Sequence, residues 1–177
     1  MKRIKCFLSF IKFQLLVFIS EAYIESKYGG FWAYKSSIGG NPPPSIYYAY
    51  LHKYNAFIGS HSQIKKAPVT PHGLNGIHIS EKACIGENCV ILQQVTIGSN
   101  TIKDHKRYGS PTIGDNVFIG AGAKIIGNVK IGNNCRIGAN CVVVTDMPDN
   151  TTAVLSQVRF IQKEEADMNN TFEGVII

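Results

Sequence analysis

Residues 110–144 read SPTIGDNVFIGAGAKIIGNVKIGNNCRIGANCVVV. Within them Ile113, Ile119, Ile125, Ile131, Ile137 and Val143 recur at six-residue intervals. The same beat runs earlier, at Ile79, Ile85, Ile91 and Ile97, and more weakly at Ile58 and Ile64. A period of six is neither the 3.6 of an amphipathic helix nor the 2 of a half-buried strand. It fits a parallel β-helix of triangular section, with one hexad per face and about 18 residues per turn. The fold class expected is therefore all-β. Each aliphatic residue points into the prism and stacks on its counterparts above and below.

Four positions after the aliphatic residue the side chain is compact: Ala83, Cys89, Val95, Thr101, Val117, Ala123, Val129, Cys135 and Cys141. That position is read as a second inward one, near a corner. Asn88, Asn116, Asn128, Asn134 and Asn140 share another hexad position. Asparagine tolerates left-handed backbone, which a corner needs. Three of the five cysteines become small core residues on this reading, while Cys84 falls off the pattern. The odd count and the lack of CxxC argue against a disulfide framework and a zinc knuckle, and suit a reducing cytosol.

The beat breaks once, between Ile97 and Ile113. The extra residues, about 100–112, include KDHKRYGSPT and are expected to loop out of the prism carrying His105. Loops leaving a rigid scaffold are where function concentrates. Upstream, MKRIKCFLSFIKFQLLVFISEAYI begins with cations and places Ile4, Phe7, Leu8, Ile11, Leu15, Phe18, Ile19 and Ala22 on one helical face. Its apolar run is too short to span a bilayer and no cleavage site follows. The segment is read as a helix packed on the domain or a partner subunit, with peripheral membrane contact as the second reading. Residues 25–55, broken by Gly39-Gly40 and Pro42-Pro43-Pro44, are read as a connector that is not helical. The expected division is 1–55, then 56–154 for the prism, then an acidic tail over 155–177. Eighteen basic against twelve acidic residues leave a formal charge of +6, suited to an anionic ligand or surface. No nucleic-acid motif accompanies it.

The stretch 69-VTPHGLNGIHIS-80 holds two of the five histidines. His78 lies between Ile77 and Ile79, so strand alternation turns it outward, whereas His72 sits in an irregular turn before the regular coils.

Taken together, HGLNGIHIS, VILQQVTIGS and the stretch quoted first resemble the serine acetyltransferase branch of the left-handed β-helix acyltransferases, over about residues 56–154. That branch includes enzymes that O-acetylate surface polysaccharides. The resemblance implies a left-handed prism, acetyl-CoA as co-substrate without a metal, and a homotrimer with sites in the grooves between prisms. It puts the family's catalytic histidine at His72, with one residue inserted before Gly76-Ile77. Outward small residues, Gly120-Ala121 and Gly138-Ala139, become candidates for the pantetheine arm, and Lys124 and Arg159 for CoA phosphates. Three departures follow from the same resemblance. Pro71 and Phe57 stand where the serine enzymes carry aspartates, and Ser110 stands where they carry a loop histidine. Asn55, His61 and His105 are the nearby polar substitutes.

The expected activity is acetyl transfer to an alcohol, with a sugar hydroxyl of a surface polysaccharide or its precursor favoured and L-serine as the alternative. Two competing readings are a non-catalytic scaffold and a metal protein similar to the γ-class carbonic anhydrases, with His61, His72 and His78 as ligands. The expected location is cytoplasmic, with contact at the inner face of the membrane as the second reading.

Overall fold

The computed structural model describes residues 2–39 and 44–156. The hexads form strands of two or three residues: β1 (Phe57–Ile58), β2 (Gln63–Ile64), β3 (His78–Ile79), β4 (Cys84–Ile85), β5 (Val90–Ile91), β6 (Thr96–Gly98), β7 (Thr112–Ile113), β8 (Phe118–Ile119), β9 (Lys124–Ile126), β10 (Lys130–Ile131), β11 (Arg136–Ile137), β12 (Val142–Val143) and β13 (Thr152–Ala153). Every pairing among these strands is parallel, in three sheets that form the faces of the left-handed prism. Sheet A runs β1-β3-β6-β9-β12, sheet B runs β2-β4-β7-β10, and sheet C runs β5-β8-β11-β13. The register stacks like on like: Ile58, Ile79, Ile97, Ile125 and Val143 form one column on sheet A. Of these the four isoleucines are completely buried. Each such side chain contributes about 1.5–3 kcal/mol of burial, so the repeated aliphatic is what fixes the register.

The corner between sheets B and C shows why asparagine recurs. Asn88, Asn116, Asn134 and Asn150 all have positive φ, between 54° and 60°. Their side chains form a ladder, each amide N–H donating to the next amide oxygen at 3.1–3.2 Å. A second ladder runs beside it: Asp115 Oδ1 accepts from the Glu87 N–H, and Asn133 Oδ1 from the Asp115 N–H. The Glu87 N–H, aided by Lys65, holds the Asp115 carboxyl below its ordinary range. Asn128 does not take the left-handed conformation expected of it; Gly127 does, at φ 90°. Thr101 is exposed, not inward. Both departures have one cause, because the loop leaves the prism at a different corner, between sheets A and B, where Thr101 and Asn128 lie, and interrupts the hexad there.

The N-terminal part corrects two expectations. Residues 25–55 are largely helical: α1 (Lys2–Tyr28) is followed by α2 (Phe31–Ser37) and α3 (Pro44–Lys53). Proline suits the first turn of α3, and Tyr47, Tyr50 and Leu51 then bury one face of it. The side of α1 that packs on α3 is the one carrying Phe13, Ser20 and Ile24, with Phe13 edge-on to His52 at 4.8 Å. The stripe expected to pack is in the open: Ile11, Leu15, Phe18 and Ile19 are 46–69% exposed. The helix has two apolar faces, and α3 covers the one that carries Phe13 and Ile24.

At the first coil, Lys35 of α2 is nearly buried and its Nζ donates to the carbonyls of Gly59, Ser60 and Ser62 at 3.0–3.2 Å. Burial pushes this amine below its ordinary range, opposed by Glu81. The lysine thus supplies donors to carbonyls that no preceding coil reaches.

Candidate active site

The chain passes from sheet C to sheet A four times, through residues 70–77, 92–95, 120–123 and 138–141. Backbone bonds stack these passages into one edge. The Gln94 N–H donates to Asn75 O at 2.9 Å, Gly122 N–H to Gln93 O at 3.0 Å, and Asn140 N–H to Ala121 O at 2.8 Å.

His72 lies on the first passage, and its side chain is exposed. The turn that carries it is tied down at several points. Leu74 is buried beneath it, and the Gly76 N–H donates to Tyr54 O at 2.9 Å. Gly76 has φ 66°, in the left-handed region that glycine adopts without strain, and a Cβ there would press on Gln94, 3.1 Å from its Cγ. Among the described residues, the side chain that bonds His72 itself is Asn75, whose Nδ2 donates to the His72 carbonyl at 2.7 Å. The imidazole accepts and donates nothing among the described residues, and it has no carboxylate behind it.

The positions where acids were sought explain this. Pro71 is exposed and bears no acceptor. Phe57 sits outward on sheet A in register with His78, and the Tyr48 ring stacks over it with centroids 6.0 Å apart. An aromatic stack therefore occupies the place of the second carboxylate. Asn55 lies in the turn after α3 at φ 47°, exposed, one residue after the Tyr54 carbonyl that holds Gly76. His78 is exposed as expected, and its Nδ1–H donates back to Gly76 O at 3.0 Å.

His61 and His105 lie on the next edge, where sheet A passes into sheet B. His61 is engaged: its N–H donates to Glu81 Oε2 at 2.9 Å and its ring Nδ1 lies 3.2 Å from the same oxygen. Burial would raise the Glu81 carboxyl, but the His61 N–H and ring outweigh it and hold the group below its ordinary range. The loop between β6 and β7 closes through Ser99 and Ser110, whose hydroxyls are 2.7 Å apart. His105 Nδ1 accepts from Asn100 Nδ2 at 2.9 Å and from the Arg107 N–H at 3.0 Å, which leaves the proton on Nε2. Arg107 in turn fastens the loop to Asn128 O and to Asp146. A cleft of 360 Å³ remains between His105, Arg107, Ile126 and Val144.

His72 and His105 are thus not brought together within one chain. A full face of sheet A separates their edges, six residues or about 20 Å. His61, His72 and His78 do not converge either, and no group of three His, Cys, Asp or Glu side chains among the described residues is placed to hold a metal.

Among the residues expected to meet CoA, Ala121 is half-buried and Ala139 exposed, both on the His72 edge. Gly120 has a different reason for being glycine: a Cβ would come within 2.7 Å of Ala139 N and 2.8 Å of Ile137 O, in the adjacent coil. Gly138 is half-buried. Lys124 is outward on sheet A with Nζ donating to Gly122 O at 3.0 Å. Arg159 lies outside the described residues. Two residues on this edge were not singled out from sequence. Asn75 is the clamp just described. Gln93, in the ILQQ stretch, has a buried Oε1 that receives no hydrogen bond among the described residues. The inserted length of the His72 turn was the available signal for the first.

Residues 110–145 match the family described as bacterial transferase hexapeptide (six repeats). Among curated proteins, a serine acetyltransferase of Staphylococcus epidermidis is 41% identical over 112 residues, covering 63% of this chain and 51% of that protein. One from Synechococcus elongatus is 47% identical over 83 residues, covering 47% of this chain and 33% of that protein. The chain thus spans about half the length, or less, of these relatives. Among solved structures, soybean serine acetyltransferase complexed with serine aligns with TM-score 0.56 at 37% identity, covering 66% of this chain and 47% of that one. Isoform 3 from Entamoeba histolytica, in complex with cysteine, aligns with TM-score 0.64 at 29% identity, covering 88% and 62%. The resemblance to the serine acetyltransferase branch of the left-handed β-helix acyltransferases holds in both sequence and fold.

Proposed function

On the premise of a hexapeptide-repeat prism of the serine acetyltransferase kind, we propose that the chain is an acetyl-CoA-dependent O-acetyltransferase with His72 as general base. The observation that carries this reading is the His72 edge: an exposed imidazole on a clamped turn, in one column with small residues, Ala121 and Ala139, two and three coils away. Imidazole is the side chain whose ordinary range straddles neutrality, so it can take a proton at pH 7. His72 removes the acceptor hydroxyl proton as that oxygen attacks the thioester carbonyl. The tetrahedral intermediate collapses, the C–S bond breaks, and the thiolate recovers the proton from His72. Gln93 Oε1 lacks a donor among the described residues, and an amide N–H of the pantetheine arm is of the chemistry to supply one. The separation of His72 from the loop edge supports a site shared between copies in a homotrimer, His72 from one and the loop from another.

The relatives named above favour L-serine as acceptor over the sugar expected from the sequence. One observation keeps a saccharide hydroxyl as the second reading. Serine carries an ammonium group, and Pro71 and the Phe57–Tyr48 stack offer no anion to receive it beside His72. CoA-thiol release, measured with L-serine and with a sugar panel, separates the two. Turnover with either, and a loss of roughly 10²–10⁴-fold in His72→Ala, is the expected result. An unchanged rate in His72→Ala refutes the reading.

A further inference from the structure

The face of α1 that α3 leaves uncovered is apolar over three turns. Ile11, Leu15, Phe18 and Ile19 are each about half exposed or more, and the exposed Ala22 continues the line. Single exposed apolar residues need no explanation, but an aligned stripe of four marks a docking surface. The charge on the same segment says what docks there. Lys2, Arg3, Lys5 and Lys12 precede the first acid, Glu21. Glu21 and the next acid, Glu25, are already engaged, by Lys53 and by the Tyr50 hydroxyl. A second copy of this helix would bring four more cations and no free acid between residues 2 and 20. An anionic lipid surface meets both halves of the pattern, taking the apolar stripe at the acyl boundary and attracting the cations electrostatically. No described helix is long and apolar enough to cross a bilayer, and the opposite face of α1 is held by α3, so the helix lies in the plane.

We propose that α1 is a peripheral membrane anchor, laying Ile11, Leu15, Phe18 and Ile19 on an anionic bilayer, with the net positive charge of its first twenty residues adding electrostatic attraction. This inference stands apart from the acetyl-transfer reading. The test is sedimentation of the full chain with phosphatidylcholine vesicles, with and without about one-third phosphatidylglycerol. Binding is expected on the anionic vesicles, weakening as salt is raised. Each cation near such a surface is worth about a factor of five, so Lys5→Gln with Lys12→Gln should weaken binding about 25-fold. Leu15→Ser with Phe18→Ser should abolish it, with the far-ultraviolet circular dichroism of the chain unchanged because both residues are exposed. Equal binding to neutral vesicles, or binding that survives the serine pair, overturns the proposal. So does a wild type that ignores anionic vesicles while the serine pair lowers its mass in light scattering, which would assign the stripe to a second copy.

Discussion

Replacing Asn75 with alanine should damage the rate far more than the fold. The turn over residues 70–77 is held by the Gly73 N–H to Thr70 O, Ile77 N–H to Leu74 O, Gly76 N–H to Tyr54 O, Gln94 N–H to Asn75 O, and Asn75 Nδ2 to His72 O. The first four are backbone bonds that survive the substitution. Only the last involves a side chain, and only it reaches His72. Asn75 is exposed, so losing its bond should cost about 0.5–1 kcal/mol of stability, the low end for a neutral pair. That corresponds to a fall in Tm of roughly 1–4 °C. The His72 carbonyl, released, lets the residue drift, and displacement of a reacting group by about 1 Å can cost 10²-fold. The expected kcat is therefore down about 10–100-fold. KM for acetyl-CoA should stay within about twofold, because Ala121 and Ala139 lie on other coils. Asn75→Asp keeps the shape but turns an acceptor toward the His72 carbonyl, and should be no better than alanine. Steady-state kinetics of CoA release and thermal melts of the same samples test both halves. Full kcat in Asn75→Ala, beside an inactive His72→Ala, would show that the backbone bonds alone position the imidazole.

Three further outcomes follow from the prism. Asn116→Ala loses two ladder bonds and strains a residue at φ 58°, whereas Asn116→Gly loses the bonds alone. Urea titration should place alanine below glycine by about 1 kcal/mol, the cost of left-handed backbone with a Cβ. Lys35→Met keeps the packed stem but strips the donor from the carbonyls of Ser60 and Ser62, and should cost about 2–4 kcal/mol by the same titration. The third outcome concerns acid. Glu81 titrates below its ordinary 4.5, and Asp115 and Asp146 below 3.8. Groups depressed in the folded state contribute stability that is complete above the ordinary value and is lost as pH falls through the folded one. As far as these groups go, Tm should be level down to about pH 5 and drop below it, and Glu81→Gln should soften the start of that drop.

The prism was legible in the sequence because its period matches no competing element. Ile113 through Val143 set the six-residue beat, and every one of them lands in an inward column. The helices over residues 31–53 were not legible, because glycine and proline punctuate the segment and each helix is short. What makes IYYAYLHK helical is contact, Tyr47, Tyr50 and Leu51 closing against α1 and the end of β1, and contact is absent from a local pattern. The stripe on α1 shows the complementary failure. Periodicity finds an apolar face but does not say which of two faces a neighbour will cover. At the site, His72 was reached through its motif, and Ala121 and Ala139 by smallness. Asn75 and Gln93 take their meaning from lying one coil apart on the same edge, which requires knowing how coils stack. His61 and His105 were sought as substitutes for the missing aspartates. Their own partners, Glu81 for one and Asn100 with Arg107 for the other, hold them on a different edge.

The edge that carries His72 also works as a ruler. Parallel strands stack about 4.8 Å apart, so positions along it are quantised. His72 stands three rungs from Ala139, about 14 Å, and side-chain chemistry at the corners does not change that figure. Lengthening the extruded loop leaves it unchanged too, since the loop departs from another edge. The gain or loss of a whole coil, about 18 residues, moves the turn that carries His72 relative to the last of the small residues in a single discrete step, and the turn itself is the one place for finer adjustment. The spacing between the His72 turn and the small residues is therefore an integer written in the repeat count, open to revision by duplication of a coil, with only the turn left for gradual adjustment.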